Sequence, residues 1–412
     1  MGGVTVTVVG IGADGWEGLT GSSRTLVEAA DVLLGGERHL GLVPDVPGQE
    51  RRPWPRPLSD LPDVLGRYHD RRVVALASGD PLVSGIGTTL IRVLGRDAVT
   101  VVPAVSSVAL ARARMGWSAE ESEVVTLVGR DPAAIRSQCA PGRRLLVLSS
   151  DETTPGLVAE HVLAAGYGLS LITVLGDLGS AQESRTEFRA GDDARPGAHP
   201  RLNVLAVEVA GPGNGTGSWT AGLPDAHFEH DGQISKRDVR ASALSRLAPA
   251  PGALLWDVGA GAGSVAIEWL RAHPLTSAVA VEANADRAAR IRRNATHLGV
   301  PRLDVVEGRA PDALAGLSQP DAIFVGGGAT ATGLLDRCRE ALRPGGRLVV
   351  HGVTVETEQL LIAAFQEHWG ELTRISVEQV TDLGTRFHGW TPARAVVQWA
   401  WQKPHPGTGI AG

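Results

Sequence analysis

At 412 residues, the chain is long enough for two to three domains of roughly 150 residues each. Hydrophobic residues make up 43% and charged residues 20%, ordinary globular usage that excludes an intrinsically disordered chain. A net charge of −6, with no acidic or basic tail, excludes a general nucleic-acid binder while leaving room for a local basic pocket.

The first residues, MGGVTVTVVGIGADG, read as a strand running into a glycine turn rather than a signal peptide. Strands are expected at Val4–Val9, Val73–Ala77, Val124–Val128, Leu145–Leu148, Leu171–Leu175 and Leu202–Val207, with helical patterns between them. One helix has legible ends: Thr154 as cap, Pro155 at the first helical position and Gly166 as stop. Gly10 and Gly12 follow the first strand, and Gly79-Asp80-Pro81 follows a later one. Such turns expose backbone to a ligand at the strand's end. A further strand runs to Pro103, after which Ser106-Ser107 opens a helix.

Residues 211–225, GPGNGTGSWTAGLPD, lack any apolar period and read as a flexible linker between two halves. Beyond it, strands are expected at Leu254–Val258, Ala278–Val281, Val305–Val306, Ala322–Val325 and Arg347–Val350, with a helix at Asn284–Leu298 stopped by Gly299. The alternation of β and α argues for open parallel sheets in both halves, with ligands beyond the carboxyl ends of the strands. Two cysteines, Cys139 and Cys338, are too few and too far apart for a disulfide framework or a zinc ribbon, so a reducing, cytoplasmic setting is expected. No apolar run reaches the roughly 18 residues that span a bilayer, and no membrane partner is expected. His227 and His230 have no third ligand nearby, so no metal site is expected.

The most specific signal is LLWDVGAGAGSVAIEWL, in which Gly259-Ala260-Gly261-Ala262-Gly263 joins a strand to a helix. Glu282 ends the next strand, roughly 20 residues on, where an acidic group can hold both hydroxyls of a ribose. A dinucleotide site expects G-x-G-x-x-G. The G-x-G-x-G spacing after Asp257 instead resembles class I S-adenosylmethionine-dependent methyltransferases. In that superfamily the segment holding Gly308 and Ala310 borders the adenine. Upstream, Ser235 is placed to cap a helix whose first turn holds Asp238. Lys236 is one of only two lysines in a chain otherwise basic through arginine.

In the first half, VVGIGADG, ASGDPLVSGIG, VVPAVSSVALARARMGW and LGDLGSAQESRTEF together resemble the tetrapyrrole methylase family, the class III methyltransferases of corrin and sirohaem synthesis. The family's first loop is usually G-x-G-P-G, and here the proline is absent, so the turn survives while its substrate side differs. The resemblance implies an α/β fold: an N-terminal tetrapyrrole-methylase (class III) domain at 1–210 and a C-terminal Rossmann-like class I methyltransferase domain at 226–403, with a tail at 404–412. A chain joining the two, with QISKRDVRA and LWDVGAGAGSVAIEW, resembles the bifunctional methyltransferases of cobalamin synthesis. That resemblance implies methylation of precorrin-6Y at C5 by the first domain, then C15 methylation and loss of the ring C acetate carboxylate by the second.

It further implies one S-adenosylmethionine per domain: Gly10, Gly12, Gly79, Asp80, Pro81, Ser106 and Ser107 in the first, and Ser235, the 259–263 loop, Glu282, Gly308 and Ala310 in the second. The partner is an anionic tetrapyrrole, and a homo-oligomer is expected. Lys236 and Arg240, one turn apart, are candidate carboxylate clamps, Arg386 a further one, and His351 a candidate proton donor for decarboxylation. Three rivals stay open on the residues alone. They are the cobalt-precorrin version of the reactions, a class I methyltransferase acting on RNA or a small molecule, and a non-catalytic tetrapyrrole carrier.

Overall fold

The computed structural model describes residues 4–192 and 197–405. It divides into two compact units, Met1–Pro132 with Pro141–Gly211 and Ala133–Ala140 with Pro212–Gly412.

In the first unit, β1 (Val6–Ile11), β2 (Val32–Gly35), β3 (Glu50–Pro53), β4 (Val73–Ser78) and β5 (Val99–Val102) form a parallel sheet in the order β3-β2-β4-β1-β5. Ile11 lies opposite Ser78, so β1 and β4 release their glycine loops at the same edge. A side chain at Gly10 would put its Cβ 1.9 Å from the Gly79 carbonyl oxygen and 2.7 Å from the Ala104 nitrogen. That space lets Ala104 N–H donate to Gly79 O at 3.3 Å, which ties the loop after β4 to the segment after β5.

The second sheet of this unit corrects the expectation of parallel sheets throughout. It contains β6 (Ser122–Thr126), β7 (Arg144–Leu148), β8 (Leu171–Gly176), β9 (Ser184–Arg189) and β10 (Asn203–Glu208) in the order β6-β7-β10-β8-β9. Only β6 and β7 are parallel; the other three pairs are antiparallel. The connection from β8 to β9, residues 177–183, is shorter than the dozen or so residues that a parallel crossover needs. Element type is readable from alternation, but strand direction is not.

The second unit holds β11 (Leu254–Val258), β12 (Ser277–Glu282), β13 (Asp304–Glu307), β14 (Ala322–Val325), β15 (Arg347–Gly352), β16 (Glu371–Ile375), β17 (Glu378–Leu383), β18 (Phe387–Pro392) and β19 (Val396–Gln402). Seven of them form one sheet, β13-β12-β11-β14-β15-β19-β16, parallel as far as β15 and antiparallel at β19. Strands β17 and β18 make a separate hairpin. Leu255, Phe324 and Val349 feed one core, while Trp256, Ile323 and Leu348 feed another. Alternate residues therefore bury on opposite faces, as a sheet covered on both sides requires. The strand order reverses between β11 and β14, which opens a crevice beyond their carboxyl ends.

The Gly-rich stretch at 211–225 also differs from its expectation as a flexible linker. Gly222 and Leu223 N–H donate to the Glu268 carboxylate at 2.6 and 3.0 Å, and the Arg271 guanidinium donates to Thr216 O. Thr216 and Leu223 are buried. Polar side chains far along the chain fasten this backbone, and no local pattern reveals them.

Candidate functional site

In the second unit, β11 runs into Gly259, whose amide and that of Ala260 both donate to Val281 O, at 2.9 and 3.2 Å. The loop thus folds onto the end of β12. Gly259 and Gly261 have φ of +68° and +60°, a region that costs other L residues about 1–2 kcal/mol. A Cβ at Gly261 would stand 2.8 Å from Gln233 O, so backbone approaches backbone here. Glu282, at the end of β12, accepts from Gly261 N–H at 2.9 Å through Oε2 and from Asn284 N–H at 3.0 Å through Oε1. Each oxygen keeps one lone pair for a ligand hydroxyl.

These groups line a cavity of about 810 Å³, within the usual size of ligand sites. Ser235, Lys236, Gly259, Ala260, Gly261, Glu282, Gly308, Ala310 and His351 all border it. Ala262 and Gly263 do not line it. Ala262 O accepts from Asn294, and a Cβ at Gly263 would meet Ile291 at 2.7 Å. These two residues pack the helix Ala285–His297 against the loop.

Behind the loop lies Asp257, 1% exposed. Its Oδ2 accepts from Ala266 N–H at 3.0 Å, and its Oδ1 has no partner among the described residues. Burial pushes its carboxyl up to about 7, and the charge of Glu282 adds to the shift. The shifted carboxyl lies directly beneath the glycine loop, a combination that functional sites show more often than structural ones.

Two sequence expectations are corrected around Lys236. Ser235 does not cap; the cap position of the helix Arg237–Leu247 is Lys236 itself, in extended conformation and with no side-chain bond. Lys236 and Arg240 both reach Asp225, at 3.6 and 3.1 Å, but differ in exposure. The Lys236 ammonium stays 57% exposed, 3.6 Å from Asp225. Arg240 turns inward to 0% exposure, with Glu268, Asp225 and the carbonyls of Ser235 and Leu223 as partners. It is a structural residue, not a substrate clamp. Arg386 lies exposed in the β17–β18 turn and does not border the cavity.

His351, on β15, is 7% exposed and stands edge-on to Phe324 with ring centroids 4.8 Å apart. Gln398 donates its Nε2 hydrogen to Ser242 Oγ at 3.3 Å, which leaves its carbonyl to accept from His351 Nε2 at 2.9 Å. The neutral ring therefore carries its proton on Nε2, and Nδ1 is the nitrogen left for other chemistry. Burial pulls the imidazole pKa down to about 4, with Arg246 reinforcing the shift. Its partner Gln398, and Ser242 that orients Gln398, lie on other elements, out of reach of sequence spacing. Gly326, Gly327 and Gly328 also line the cavity, and the sequence signal for them is a glycine triplet straight after the apolar strand β14.

In the first unit, a cavity of about 330 Å³ is bordered by Gly12, Gly79, Asp80, Ser106 and Ser107. Ser106 caps the helix Ser107–Met115, accepting from Ala109 N–H at 3.1 Å, and Asp80 accepts from Leu82 N–H at 2.9 Å. Gly10 and Pro81 do not line this cavity. Gly10 serves the backbone approach described above, and Pro81 O accepts from Gly87 N–H at 3.1 Å. Arg38 and His39 do border it, unforeseen because the strand before them, β2, has only four residues.

Residues 5–192 match the family of tetrapyrrole (corrin/porphyrin) methylases, and residues 226–403 match the precorrin methyltransferase domain. A precorrin-6Y C(5,15)-methyltransferase [decarboxylating] from Sinorhizobium sp is 44% identical over 400 residues, covering 97% of this chain and 96% of the relative. The chain belongs to this family. A second member, from Mycobacterium tuberculosis (strain CDC 1551 / Oshkosh), is 44% identical over 399 residues, 96% of this chain and 99% of its own. Among solved structures, the C-terminal domain of precorrin-6Y C5,15-methyltransferase from Rhodobacter capsulatus is 44% identical, spans 45% of this chain and 100% of its own, and has a TM-score of 0.43. Among the described residues no helix is long and apolar enough to cross a membrane.

Proposed function

We propose that the chain methylates precorrin-6Y at C5 and C15 and removes the ring C acetate carboxylate, with S-adenosylmethionine bound once in each unit. The observation that carries the reading is the gathering of Gly261, Glu282, Lys236 and His351 around one cavity at the carboxyl edge of β11, β12 and β15. Glu282 has acceptor capacity for a ribose diol beside the glycine loop, and Gly308 and Ala310 border the adenine end. In the first unit the Gly12, Gly79 and Ser106 segments do the corresponding work. S-adenosylmethionine, when bound, supplies the methyl group.

A meso carbon between pyrrole rings is enamine-like and attacks a sulfonium methyl without a strong base. The work of the protein is to align the reactants. Replacing the meso hydrogen by methyl releases one proton. Exchanging a ring acetate for a methyl group loses carbon dioxide and takes one proton up. His351 Nδ1, neutral in the resting site, carries that proton from the methylated carbon to the new methylene carbon, while the pyrrole system holds the electron pair between the two events. Lys236 pairs with a substrate carboxylate at the mouth of the cavity. A cytoplasmic homo-oligomer completes the reading, with exposed Val380, Leu383, Phe387 and Trp390 on the β17–β18 hairpin as apolar contact surface.

Mass spectrometry after incubation with precorrin-6Y and S-adenosylmethionine tests the proposal. Two methyl gains and one loss of carbon dioxide are expected. A product without either methyl, or one that keeps every carboxylate, rejects it.

A further inference from the structure

The cavity of the first unit is walled by apolar side chains such as Ile11, Leu76, Leu110 and Leu178. Among the described residues, Arg38 is the one arginine or lysine along its border. Several other arginines of this unit face a carboxylate: Arg71 pairs with Glu50, Arg72 with Asp31 and Arg114 with Glu183. Arg38 has neutral partners instead. Its Nη2 donates to Ser78 Oγ at 3.2 Å and to His39 Nε2 at 2.8 Å. Among the described residues no carboxylate lies within the 4.0 Å of an ion pair, and Asp177 attracts it only through space.

Arg38, His39 and Ser78 form one polar cluster. In the Arg38 contact His39 Nε2 accepts, because a guanidinium cannot; the same nitrogen lies 2.8 Å from Ser78 Oγ, while Nδ1 is buried without a partner among the described residues. Burial, then the Arg38 charge, pulls the imidazole pKa down to about 4. His39 therefore orients the guanidinium without adding charge. Ser78 ends β4 opposite Ile11 of β1, and Arg38 follows β2, so the group sits at the carboxyl edge where this sheet releases its glycine loops. Asp80 borders the same cavity but makes no ion pair with Arg38, so the exposed, oriented guanidinium is open to an incoming carboxylate.

We propose that Arg38, positioned by His39 and Ser78, is the receptor in the first unit for one acetate or propionate carboxylate of the tetrapyrrole. This rests on the reading that the first unit acts on such a macrocycle. The other carboxylate that could reach the cavity is that of S-adenosylmethionine, and the test separates the two.

In the full-length chain, Arg38→Met is compared with wild type for C5 methylation at saturating S-adenosylmethionine, and for S-adenosylhomocysteine affinity by calorimetry. Loss of a charge-assisted contact should raise KM for the macrocycle by on the order of 10-fold or more, with cofactor affinity unchanged. Arg38→Lys should recover part of the loss. Unchanged KM overturns the proposal, as does an equal fall in S-adenosylhomocysteine affinity. Titration with uroporphyrin III, an unreactive macrocycle carrying acetates and propionates, keeps the two readings apart. If wild type binds it more tightly than Arg38→Met but transfers no methyl to precorrin-6Y, the C5 reaction is wrong and the receptor stands. If both proteins bind it equally, the receptor is wrong whatever the reaction.

Discussion

Arg240 and Glu268 form a buried ion pair, Nε to Oε1 at 2.6 Å, with side chains 0% and 3% exposed. The Glu268 carboxylate also accepts from Gly222 and Leu223, and the Arg240 guanidinium lies over the Phe228 ring at 4.8 Å. One pair therefore holds the segment before the helix Arg237–Leu247 against the core of the second unit. Arg240→Met leaves Glu268 charged and buried without its cation, at a cost of about 3–5 kcal/mol. The expected outcome is a lower Tm in thermal unfolding, with the macrocycle KM of the protein that remains folded unchanged. A raised KM at wild-type Tm would restore Arg240 to the substrate. Lys236→Met should behave oppositely, because the Lys236 ammonium is exposed at the cavity and paired only at 3.6 Å.

The contrast shows what local sequence can carry. The Asp257–Gly263 turn and Glu282 were legible because strand, glycine spacing and acidic strand end lie within one βαβ stretch. The placing of Ser235, Lys236 and Arg240 was not. The helix cap falls at Lys236 rather than at the Ser235 that local capping signals suggest, and a buried acid 28 positions beyond Arg240 settles where that arginine turns. The first unit is less legible for two reasons. The short strand β2 and the five-residue helix Glu37–Gly41 after it leave too little pattern to mark Arg38 and His39, and β10 enters the second sheet antiparallel between β7 and β8. Pairing direction is a long-range outcome that hydrophobic alternation does not encode.

Glu282 has a double task, accepting from Gly261 and Asn284 while keeping acceptor capacity towards the cavity. Glu282→Ala removes both. The expected result is a fall of about 10-fold or more in S-adenosylmethionine affinity at the second unit, with C5 methylation unchanged. Glu282→Gln should keep an acceptor for one backbone amide and lose less. Calorimetry resolves the two sites, and wild-type affinity with unaltered C15 methylation in the alanine variant would remove Glu282 from the cofactor.

His351 gives a test in pH. Its imidazole pKa is pulled down to about 4 by burial, against about 6.5 in an unfolded chain. Between those values the unfolded chain binds the proton and the folded one does not. The stability contributed by the neutral ring is therefore complete above about 6.5 and falls as pH drops towards 4. The catalytic consequence follows from the same sign. The ring starts neutral, with Nε2–H on Gln398 and Nδ1 bare, so it takes its proton from the methylated substrate rather than from solvent. The rate of carbon dioxide release should then show no inflection near 6.5. His351→Ala should slow decarboxylation by roughly 10²–10⁴-fold while C15 methylation continues, so that product retaining its carboxylate accumulates. Gln398→Leu frees the tautomer and should produce a smaller defect in the same step. A wild-type decarboxylation rate that falls with a midpoint near 6.5 as pH rises would mean that the ring is charged in the resting enzyme, and the relay through Nδ1 would then be wrong.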